Sequence, residues 1–383
     1  MLRFLTGGES HGPALVAVID GLPAGLPVRA EDINAELRRR QVGYGRGGRM
    51  QIERDEVAIL GGIWQGCTSG APLVLSIANR DWENWRDRPL PAVTVPRPGH
   101  ADYAGMIKYG FDDARPVLER ASARETAARV AVGAVAKILL GQFGIRVGSY
   151  VERIGPAEVE IMAEPLPALW ARAEESDVRC PDPSAAQAMH QAIDSARAAG
   201  DSLGGIFVVG AVGLPVGLGS HVQADRRLDA RLAAAVMSIP AVKGVEIGPA
   251  FENAGLPGTQ VHDEFLPGEH RRPRRAANRA GGLEGGMTNG MPLIVRAAMK
   301  PIPTTLTQRR SVNMRTGAPA MTQYERSDVC AVPAASVVGE AVVAWVLADA
   351  FLEKFGGDHM EDVRAHFQRE AVVLDDALWG SER

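Results

Sequence analysis

The chain has 383 residues, of which 46% are hydrophobic and 23% are charged, and its formal net charge is -4. This composition is typical of a globular protein with a sizeable core and excludes a mainly disordered chain. The net negative charge argues against general binding of nucleic-acid backbones, although local clusters of arginine suit small anions.

The cysteines and the apolar segments indicate a protein of the cytoplasm. Cys67, Cys180 and Cys330 are odd in number and widely spaced, so they form neither a disulfide framework nor a C-x-x-C motif. The N-terminus has no sustained apolar run, and Glu340 and Asp349 interrupt the most apolar late segment. We therefore expect a cytoplasmic protein with no signal peptide and no membrane span.

Hydrophobic patterning predicts a mixed α/β architecture. Short apolar runs bounded by Gly, Pro and Asp predict strands at 14–19, 73–77, 206–212 and 293–298. Longer alanine-rich stretches predict helices at 123–140, 228–239 and 334–355, the last closed by Gly356 and Gly357. Three connections, rich in Pro, Gly, Arg or Trp, are too long for ordinary loops and indicate binding loops or disorder: 80–119, 249–282 and 300–325.

A glycine-rich turn near the N-terminus, Gly8-Glu9-Ser10-His11-Gly12, carries the first candidate catalytic histidine. It matches G-x-S-x-G, the nucleophile elbow of serine hydrolases, but that elbow needs a helix after the serine. Here Pro13 and a predicted strand follow, so the local context does not favour an esterase with Ser10 as nucleophile, which is kept as an alternative. His11 is otherwise a proton-handling group or a structural turn residue.

A second histidine occupies a similar turn, Arg97-Pro98-Gly99-His100-Ala101-Asp102. Asp102 and Tyr103 are candidate partners that would orient the His100 ring, and the alternative is a surface histidine in a mobile loop. Two histidines on glycine turns together indicate a site that needs two proton-handling groups.

A helix start at Ser122 is a candidate anion site. Ser122 and Glu125 form an S-x-x-E capping box, and the backbone N–H groups of a helix N-terminus attract anions. Arg120, Arg124 and Arg129 add positive charge around the first turns. Phosphate or carboxylate is the expected guest, and an ordinary capped helix with solvated arginines is the alternative.

The glycine loop 43–48 fits G-x-G-x-x-G but follows a helix-like stretch rather than a strand, so it is not a dinucleotide-binding fingerprint. Arg40, Arg46 and Arg49 around it indicate a flexible site for anionic groups, with a mobile surface loop as the alternative. The arginine-rich run 271–275 is interpreted as a solvated basic loop.

Three further segments lie near the C-terminus. Glycines in the run 281–286 permit a flat ligand to lie close to the main chain, and Lys300-Pro301-Ile302-Pro303-Thr304 adds a cation beside a stiff loop. In Arg326-Ser327-Asp328, the carboxylate is either a positioned base or part of an ion pair at a helix entry.

Taken together, six segments resemble the chorismate synthase family, and the resemblance runs from end to end. They are Gly8 to Gly12, Arg97 to Asp102, Ser122 to Ala127, Val242 to Gly248, Gly281 to Gly286, and Arg326 to Asp328. The resemblance implies a lyase of the shikimate pathway that removes phosphate from 5-enolpyruvylshikimate 3-phosphate by a 1,4-anti elimination. The product is chorismate, and reduced FMN is required without net redox change.

The resemblance also implies residue roles. His11 would protonate or stabilise the departing phosphate, and His100 would keep the flavin in its reactive protonation state. Asp328 would act as a base near the flavin, assisted by Ser10 and Ser122. Arg40 and Arg46 would face phosphate-bearing ligands, either the substrate or NADP.

By the same resemblance, the FMN contacts would be Arg120, Ala121, Ser122, Pro240, Ala241, Gly285, Lys300, Pro301, Ile302, Pro303, Thr304 and Arg326. Family members often have Asn where Pro240 stands and Ser where Ala121 stands. Contacts at these two positions would therefore run through the backbone.

For the whole chain, the resemblance implies one α/β domain over residues 1–383, built as a β-α sandwich and assembled into a homotetramer with the FMN sites near subunit contacts. Because no reductase domain is visible, the flavin would be reduced by an external partner. We expect no nucleic-acid or membrane partner and no metal. A non-catalytic flavin or phosphometabolite binding protein, whose histidines are structural, is the alternative from another class.

Overall fold

The computed structural model describes residues 1–47, 53–88, 91–161, 164–268, 273–323 and 327–379. Its strands are β1 (Arg3–Gly7), β2 (Ala14–Asp20), β3 (Val57–Gly61), β4 (Ile63–Trp64), β5 (Cys67–Thr68), β6 (Leu73–Ala78), β7 (Arg146–Ile154), β8 (Ala157–Glu158), β9 (Gly205–Val212), β10 (Val242–Ile247), β11 (Phe265–Leu266), β12 (Arg274–Arg275), β13 (Leu283–Glu284), β14 (Met287–Thr288), β15 (Leu293–Met299), β16 (Arg310–Val312) and β17 (Pro319–Met321).

The α-helices are α1 (Ala30–Gln41), α2 (Asp102–Tyr109), α3 (Arg115–Ala121), α4 (Thr126–Gly141), α5 (Leu166–Glu175), α6 (Pro183–Ala198), α7 (Leu228–Met237), α8 (Ala250–Asn253), α9 (Gly258–Val261), α10 (Val332–Phe355) and α11 (Met360–Trp379). Short 3-10 helices cover Arg80–Asn84, Ala123–Glu125 and Ala224–Arg226.

Two antiparallel sheets and two helices form the layers of the fold. Sheet 1 has the strand order β1-β2-β6-β3, and sheet 2 has the order β10-β15-β9-β7-β8. Helix α4 packs on β2 and β6 of sheet 1, α10 packs on β7 and β9 of sheet 2, and the two helices pack on each other. The layers therefore run sheet, helix, helix, sheet, which confirms the predicted α/β class and the β-α sandwich.

Burial patterns follow from this layering. In β2 the buried residues alternate with partly exposed ones, because helices cover only one face of sheet 1. In β9 the stretch from Phe207 to Ala211 is buried throughout, since α10 covers one face of sheet 2 and Trp170 of α5 packs on the other.

Helix α10 is apolar on nearly all sides because it lies between α4 and sheet 2. Within the described ranges it is the one helix long and apolar enough to cross a membrane, and 89% of its most apolar window is buried inside the protein. This burial is that of a core helix.

The predicted elements correspond closely to the observed ones. Strands β2, β6, β9 and β15 are each one residue longer than predicted, and α7 and α10 match the second and third predicted helices within two residues. The predicted helix 123–140 is α4 preceded by a 3-10 turn. In their described parts the three long connections carry short elements, including α2 and α3 in 80–119, so they are not bare loops.

Candidate active site

A cavity of about 710 Å³ opens where the N-terminal ends of α4 and α10 meet several loops. Its volume lies within the range of about 300 to 1,000 Å³ that is typical of small-molecule sites. Among the described residues, the cationic side chains that line it are Arg40, Arg46, Arg97, Arg120, Arg124, Arg129 and Lys300, whereas the anionic ones are Glu125 and Asp328. The lining is therefore strongly positive although the chain is net negative.

His11 lines this cavity from the turn between β1 and β2. Its Nδ1 lies 2.9 Å from Oε1 of Glu119, and its backbone N–H donates to Oε2 of the same carboxylate at 2.7 Å. The indole of Trp85 packs on the imidazole, with the ring centroids 4.5 Å apart. Burial alone would raise the pKa of the Glu119 carboxyl, but the hydrogen bonds and charge of His11 hold it below its ordinary value.

Arg120 braces the same turn from α3. Its guanidinium donates to the carbonyls of Gly8 and Thr6, both at 3.0 Å. Arg120, which the family resemblance nominates as an FMN contact, thus also fixes the backbone of the turn that carries His11.

His100 lines the same cavity, from the turn that precedes α2. Its Nδ1 lies 2.5 Å from Oδ1 of the fully buried Asp102, which confirms the expected contact between these two residues. Arg97 donates from Nε to Oδ2 of Asp102 at 2.8 Å. Burial favours the neutral carboxyl, but the hydrogen bonds from His100 and Arg97 hold the pKa of Asp102 well below its usual range.

The segment 300–304 supports the His100 turn. Nζ of Lys300 donates to the carbonyl of Gly99 at 2.5 Å, and Nη1 of Arg97 donates to Oγ1 of Thr304 at 3.1 Å. The cavity ends of the connections 80–119 and 300–325 are thus tied together. No described residue of the third long connection, 249–282, lines the cavity.

Asp328 faces the glycine loop that follows α1. Its Oδ2 accepts from Nη1 of Arg46 at 2.7 Å, and its Oδ1 accepts from the backbone N–H of Gly47 at 2.7 Å. A Cβ on Gly47 would lie 2.9 Å from the carbonyl oxygen of Ser327, so only glycine permits this approach. Asp328 is therefore in an ion pair, and its described partner is Arg46 of the glycine loop.

The 3-10 turn that leads into α4 begins at the capping serine that the sequence predicts. Oγ of Ser122 accepts the backbone N–H of Arg124 at 3.3 Å. Glu125 does not complete the capping box, because its carboxylate instead accepts from Nε of Arg129 at 3.1 Å.

Arg40 and Arg124 flank this helix start, and both are more than 95% buried. Arg40 donates from Nη2 to the Ala123 carbonyl at 2.8 Å and from Nε to Oγ1 of Thr126 at 2.9 Å. Burial lowers the pKa of Arg40 to about 10 despite the nearby carboxylate of Asp55. Nη2 of Arg124 is buried and has no hydrogen-bond partner among the described residues. An anion in the cavity would satisfy this group.

Another part of the lining is apolar, and half of its eight side chains are alanines: Ile239, Pro240, Ala241, Met299, Ala331, Ala334, Ala335 and Val338. Ala241 has φ of 69°, in the left-handed region that favours glycine, and its carbonyl accepts the backbone N–H of Lys300 at 2.9 Å. The lining of the cavity therefore contains an apolar set of residues as well as a cationic one.

Comparison with known proteins identifies the relatives of this chain. The family model described as chorismate synthase matches residues 2–352. The chain belongs to the chorismate synthase family. A chorismate synthase from Desulforamulus reducens is 57% identical over 96% of this chain and 98% of its own length, and one from Chlorobaculum tepidum is 52% identical over 98% of each.

A crystal structure of chorismate synthase has the same fold, with a TM-score of 0.82, 47% sequence identity and coverage of 98% of both chains. The family resemblance drawn from the six motifs is thereby confirmed. The serine-hydrolase alternative is wrong, because strand β2 follows the Ser10 turn where an elbow requires a helix.

Most residues that the chorismate synthase resemblance nominates lie around the one cavity. These are Ser10, His11, Arg40, Arg46, His100, Arg120, Ala121, Ser122, Pro240, Ala241, Lys300, Ile302, Pro303, Thr304 and Asp328. Pro301 lies between two of them without lining the cavity. Gly285 is in the turn between β13 and β14 and does not line the cavity of its own chain, and Arg326 is outside the described residues.

Sequence reasoning missed Glu119, Trp85 and Asp55. Glu119 and Trp85 contact His11 from positions 108 and 74 residues away, and Asp55 contacts Arg40 and Arg124. No local motif marks such contacts. The only signal was that a candidate catalytic histidine commonly has an orienting carboxylate somewhere in the fold.

Proposed function

We propose that this protein converts 5-enolpyruvylshikimate 3-phosphate to chorismate by 1,4-anti elimination of phosphate, as a carbon–oxygen lyase that requires reduced FMN. The observation that carries the proposal is that His11 and His100, each held by a carboxylate, line one cavity with seven cationic side chains. Membership of the chorismate synthase family supports the same reaction.

The cationic lining suits a substrate that bears a phosphate and two carboxylates. Guanidinium groups bind both anions in bidentate fashion, and charge-assisted hydrogen bonds contribute about 1.5 to 3 kcal/mol each. Nη2 of Arg124 lies 3.7 Å from Oε2 of Glu53 but makes no hydrogen bond within the described ranges, so it can still donate to a bound anion. Arg40 and Arg46 supply further positive charge at the same end of the cavity, and we assign them to phosphate-bearing ligands, the substrate or NADP.

The apolar lining fits a planar flavin ring. Small side chains on α10 and the segment 239–241 leave room for a flat tricyclic group. The cationic side chains of the lining are available to bind the phosphate of the flavin. We assign FMN to Arg120, Ala121, Ser122, Pro240, Ala241 and residues 300–304. Bound reduced FMN would supply transient electron density to the substrate. Gly285 and Arg326 remain proposed contacts, and Gly285 would have to come from another subunit.

The protein groups would control protons and charge. We assign to His11 the protonation or stabilisation of the departing phosphate, through the ring nitrogen Nε2, because Nδ1 faces Glu119. His100 would hold the protonation state of the flavin. Asp328 would act as a base once its contacts to Arg46 and Gly47 loosen, and Ser10 and Ser122 would assist.

We further propose a cytoplasmic homotetramer that receives reduced flavin from an external reductant, with one catalytic domain over residues 1–383 and no nucleic-acid or membrane partner. The cysteine pattern supports the compartment. The partly apolar outer face of sheet 1, on which Leu5 is 78% exposed, supports assembly with further copies of the chain.

The test is an anaerobic assay with photoreduced FMN and the enolpyruvyl substrate, in which the diene absorbance of chorismate and the released phosphate are followed. We expect turnover with reduced FMN and none with oxidised FMN. A folded protein that gives no product with reduced flavin and substrate present would overturn the proposal.

Replacement of the histidines separates the enzyme from a non-catalytic binder. His11→Ala and His100→Ala should each lower kcat by about 10²- to 10⁴-fold, because general acid–base groups commonly contribute that much. FMN binding, followed by flavin fluorescence, should survive the His11 change. A binding protein would keep its ligand affinity in both variants and have no turnover to lose.

A further inference from the structure

Glu119 of α3 contacts both the backbone and the imidazole in the turn that carries His11. The carbonyl of Glu119 accepts the backbone N–H of Ser10 at 3.1 Å. Its carboxylate accepts the backbone N–H of His11 through Oε2 at 2.7 Å and lies 2.9 Å from Nδ1 through Oε1. The side chains of His11 and Glu119 are 17% and 10% exposed, so water competes weakly for these contacts.

This geometry specifies where the imidazole carries its proton. An ionised carboxylate only accepts hydrogen bonds, so the ring nitrogen that faces it must be a donor. Glu119 is held ionised by His11 and by Arg115, whose Nη1 lies 3.9 Å away. The indole of Trp85 lies against the ring and opposes a flip that would exchange the two nitrogens.

We propose that Glu119 is the positioning residue that fixes the Nδ1–H tautomer of His11, so that Nε2 is the nitrogen that exchanges a proton with a ligand in the cavity. Glu119 does not line the cavity and acts through His11. The catalytic consequence rests on the proposed function, whereas the tautomer is a property of the protein alone.

The change Glu119→Gln tests this assignment with little change in shape. The backbone N–H of His11 cannot become an acceptor, so the amide oxygen must occupy the Oε2 position. The amide NH₂ then stands at the Oε1 position, 2.9 Å from Nδ1, and opposes a proton there, although the oxygen at the Oε2 position is still 3.1 Å from the same nitrogen. We therefore expect a shift toward the Nε2–H tautomer, in which Nε2 has no lone pair to accept a proton from a ligand. Glu119→Asp keeps an ionised acceptor and is the conservative variant.

The first measurement is ¹⁵N NMR of the full-length protein labelled at histidine, at mildly alkaline pH where an imidazole carries one proton. His11→Gln assigns the signals of His11. We expect the Nδ1–H form in the parent and in Glu119→Asp, and a shift toward the Nε2–H form in Glu119→Gln. An Nε2–H signal for His11 in the parent overturns the proposal, whatever the variants do.

The second measurement is steady-state turnover in the assay above. We expect Glu119→Gln to lower kcat by about 10²- to 10⁴-fold, the range found when an orienting carboxylate is lost or a general acid is disabled, with KM changed much less. Glu119→Asp should recover most of that loss. Unchanged kcat and an unchanged tautomer in folded Glu119→Gln contradict the proposal.

Asp177→Asn is the matched control. Asp177 pairs with His190 through Nε2 at 2.6 Å, on the surface and away from the cavity lining. Its replacement should leave the His11 signals and kcat as in the parent. If Glu119→Gln does not fold, the spectra of the parent and of Glu119→Asp test the proposal. Both should show the Nδ1–H form of His11, and an Nε2–H signal in the parent would contradict it. If neither the parent nor any variant turns over, the proposed function is wrong. The NMR spectrum of the parent still tests the tautomer of His11, because that measurement does not depend on turnover.

Discussion

Asp55 is a buried carboxylate that two arginines of the cavity share. Its Oδ1 accepts from Nη1 of Arg124 at 2.5 Å, and its Oδ2 lies 3.4 Å from Nη1 of Arg40. The Asp55 side chain is fully buried and does not line the cavity. One negative charge behind the cavity wall thus fixes the spacing of two guanidinium groups in front of it.

Replacement of Asp55 by Asn should be costly for stability. The change leaves two buried guanidinium groups without their shared charge, and breaking a buried pair in this way costs about 3 to 5 kcal/mol. Urea unfolding measures the loss. Asp32→Asn is the control, because its pair with Arg29 is largely solvent-exposed and should contribute far less to stability. Equal stabilities for the two variants would contradict the prediction.

Helices α4 and α10 form the centre of the sandwich, and Gly133 of α4 lies directly against the backbone of α10. A Cβ on Gly133 would lie 2.3 Å from the Cα of Ala341, far inside van der Waals contact with backbone. Both helices reach the cavity with their N-terminal turns. The missing side chain in the middle of α4 therefore sets the distance between two walls of the site.

Gly133→Ala should separate the two helices and lower the free energy of unfolding by about 1 to 3 kcal/mol, the usual cost of overpacking a core. Gly141→Ala, at the end of the same helix, has no atom within 4 Å of the added Cβ. It should raise stability by up to about 1 kcal/mol, because alanine is the better helix former. Thermal melting of both variants checks the signs, and a neutral Gly133→Ala would show that the helices adjust freely.

An ion cluster joins the layers of the molecule. Glu340 of α10 is fully buried and contacts Arg39 of α1 at 2.8 Å, Lys137 of α4 at 2.7 Å and Arg179 at 3.1 Å. Burial raises the pKa of such a carboxyl, but Lys137 and Arg39 outweigh burial and hold the pKa of Glu340 well below its usual range. The pKa values of Asp102 and Glu119 are lowered in the same direction.

Stability should therefore fall in acid. In the unfolded chain these carboxyls titrate near their ordinary values of about 4, whereas in the folded protein they titrate lower. Their contribution is complete above about pH 5 and is lost as the pH falls through the folded pKa values. Urea midpoints measured from pH 7 to pH 3 should be level at first and then decline. A midpoint that stays constant down to pH 3 would contradict this assignment.

Sheet 1 presents an apolar outer face that no element of the described chain covers. Leu5, Val18 and Val74 are paired across β1, β2 and β6 and form a row on that face. If the proposed tetramer uses this face, Leu5→Lys should shift the protein to smaller species in sedimentation. A monomeric parent would refute the assembly itself.

The sequence by itself determined the local structure and the family. Strands β2, β6, β9 and β15 and helices α4, α7 and α10 follow from periodicity and flanking turn residues, since these signals act over a few neighbouring residues. The sequence also predicted His11 and His100 as candidate site residues and Asp102 as a partner of His100. These predictions rest on local patterns, namely glycine-rich turns and a carboxylate two residues from the histidine. The order of six motifs identified the chorismate synthase family.

Only the tertiary structure decided which distant groups meet. Glu119 contacts His11 across 108 residues, and Asp328 contacts Gly47 across 281 residues. It also revealed that Gly285 does not line its own chain's cavity, which the motif pattern had not indicated. Such contacts depend on how sheets and helices stack. This stacking depends on many weak packing contacts between side chains that are distant in the sequence. It therefore cannot be predicted from any short segment.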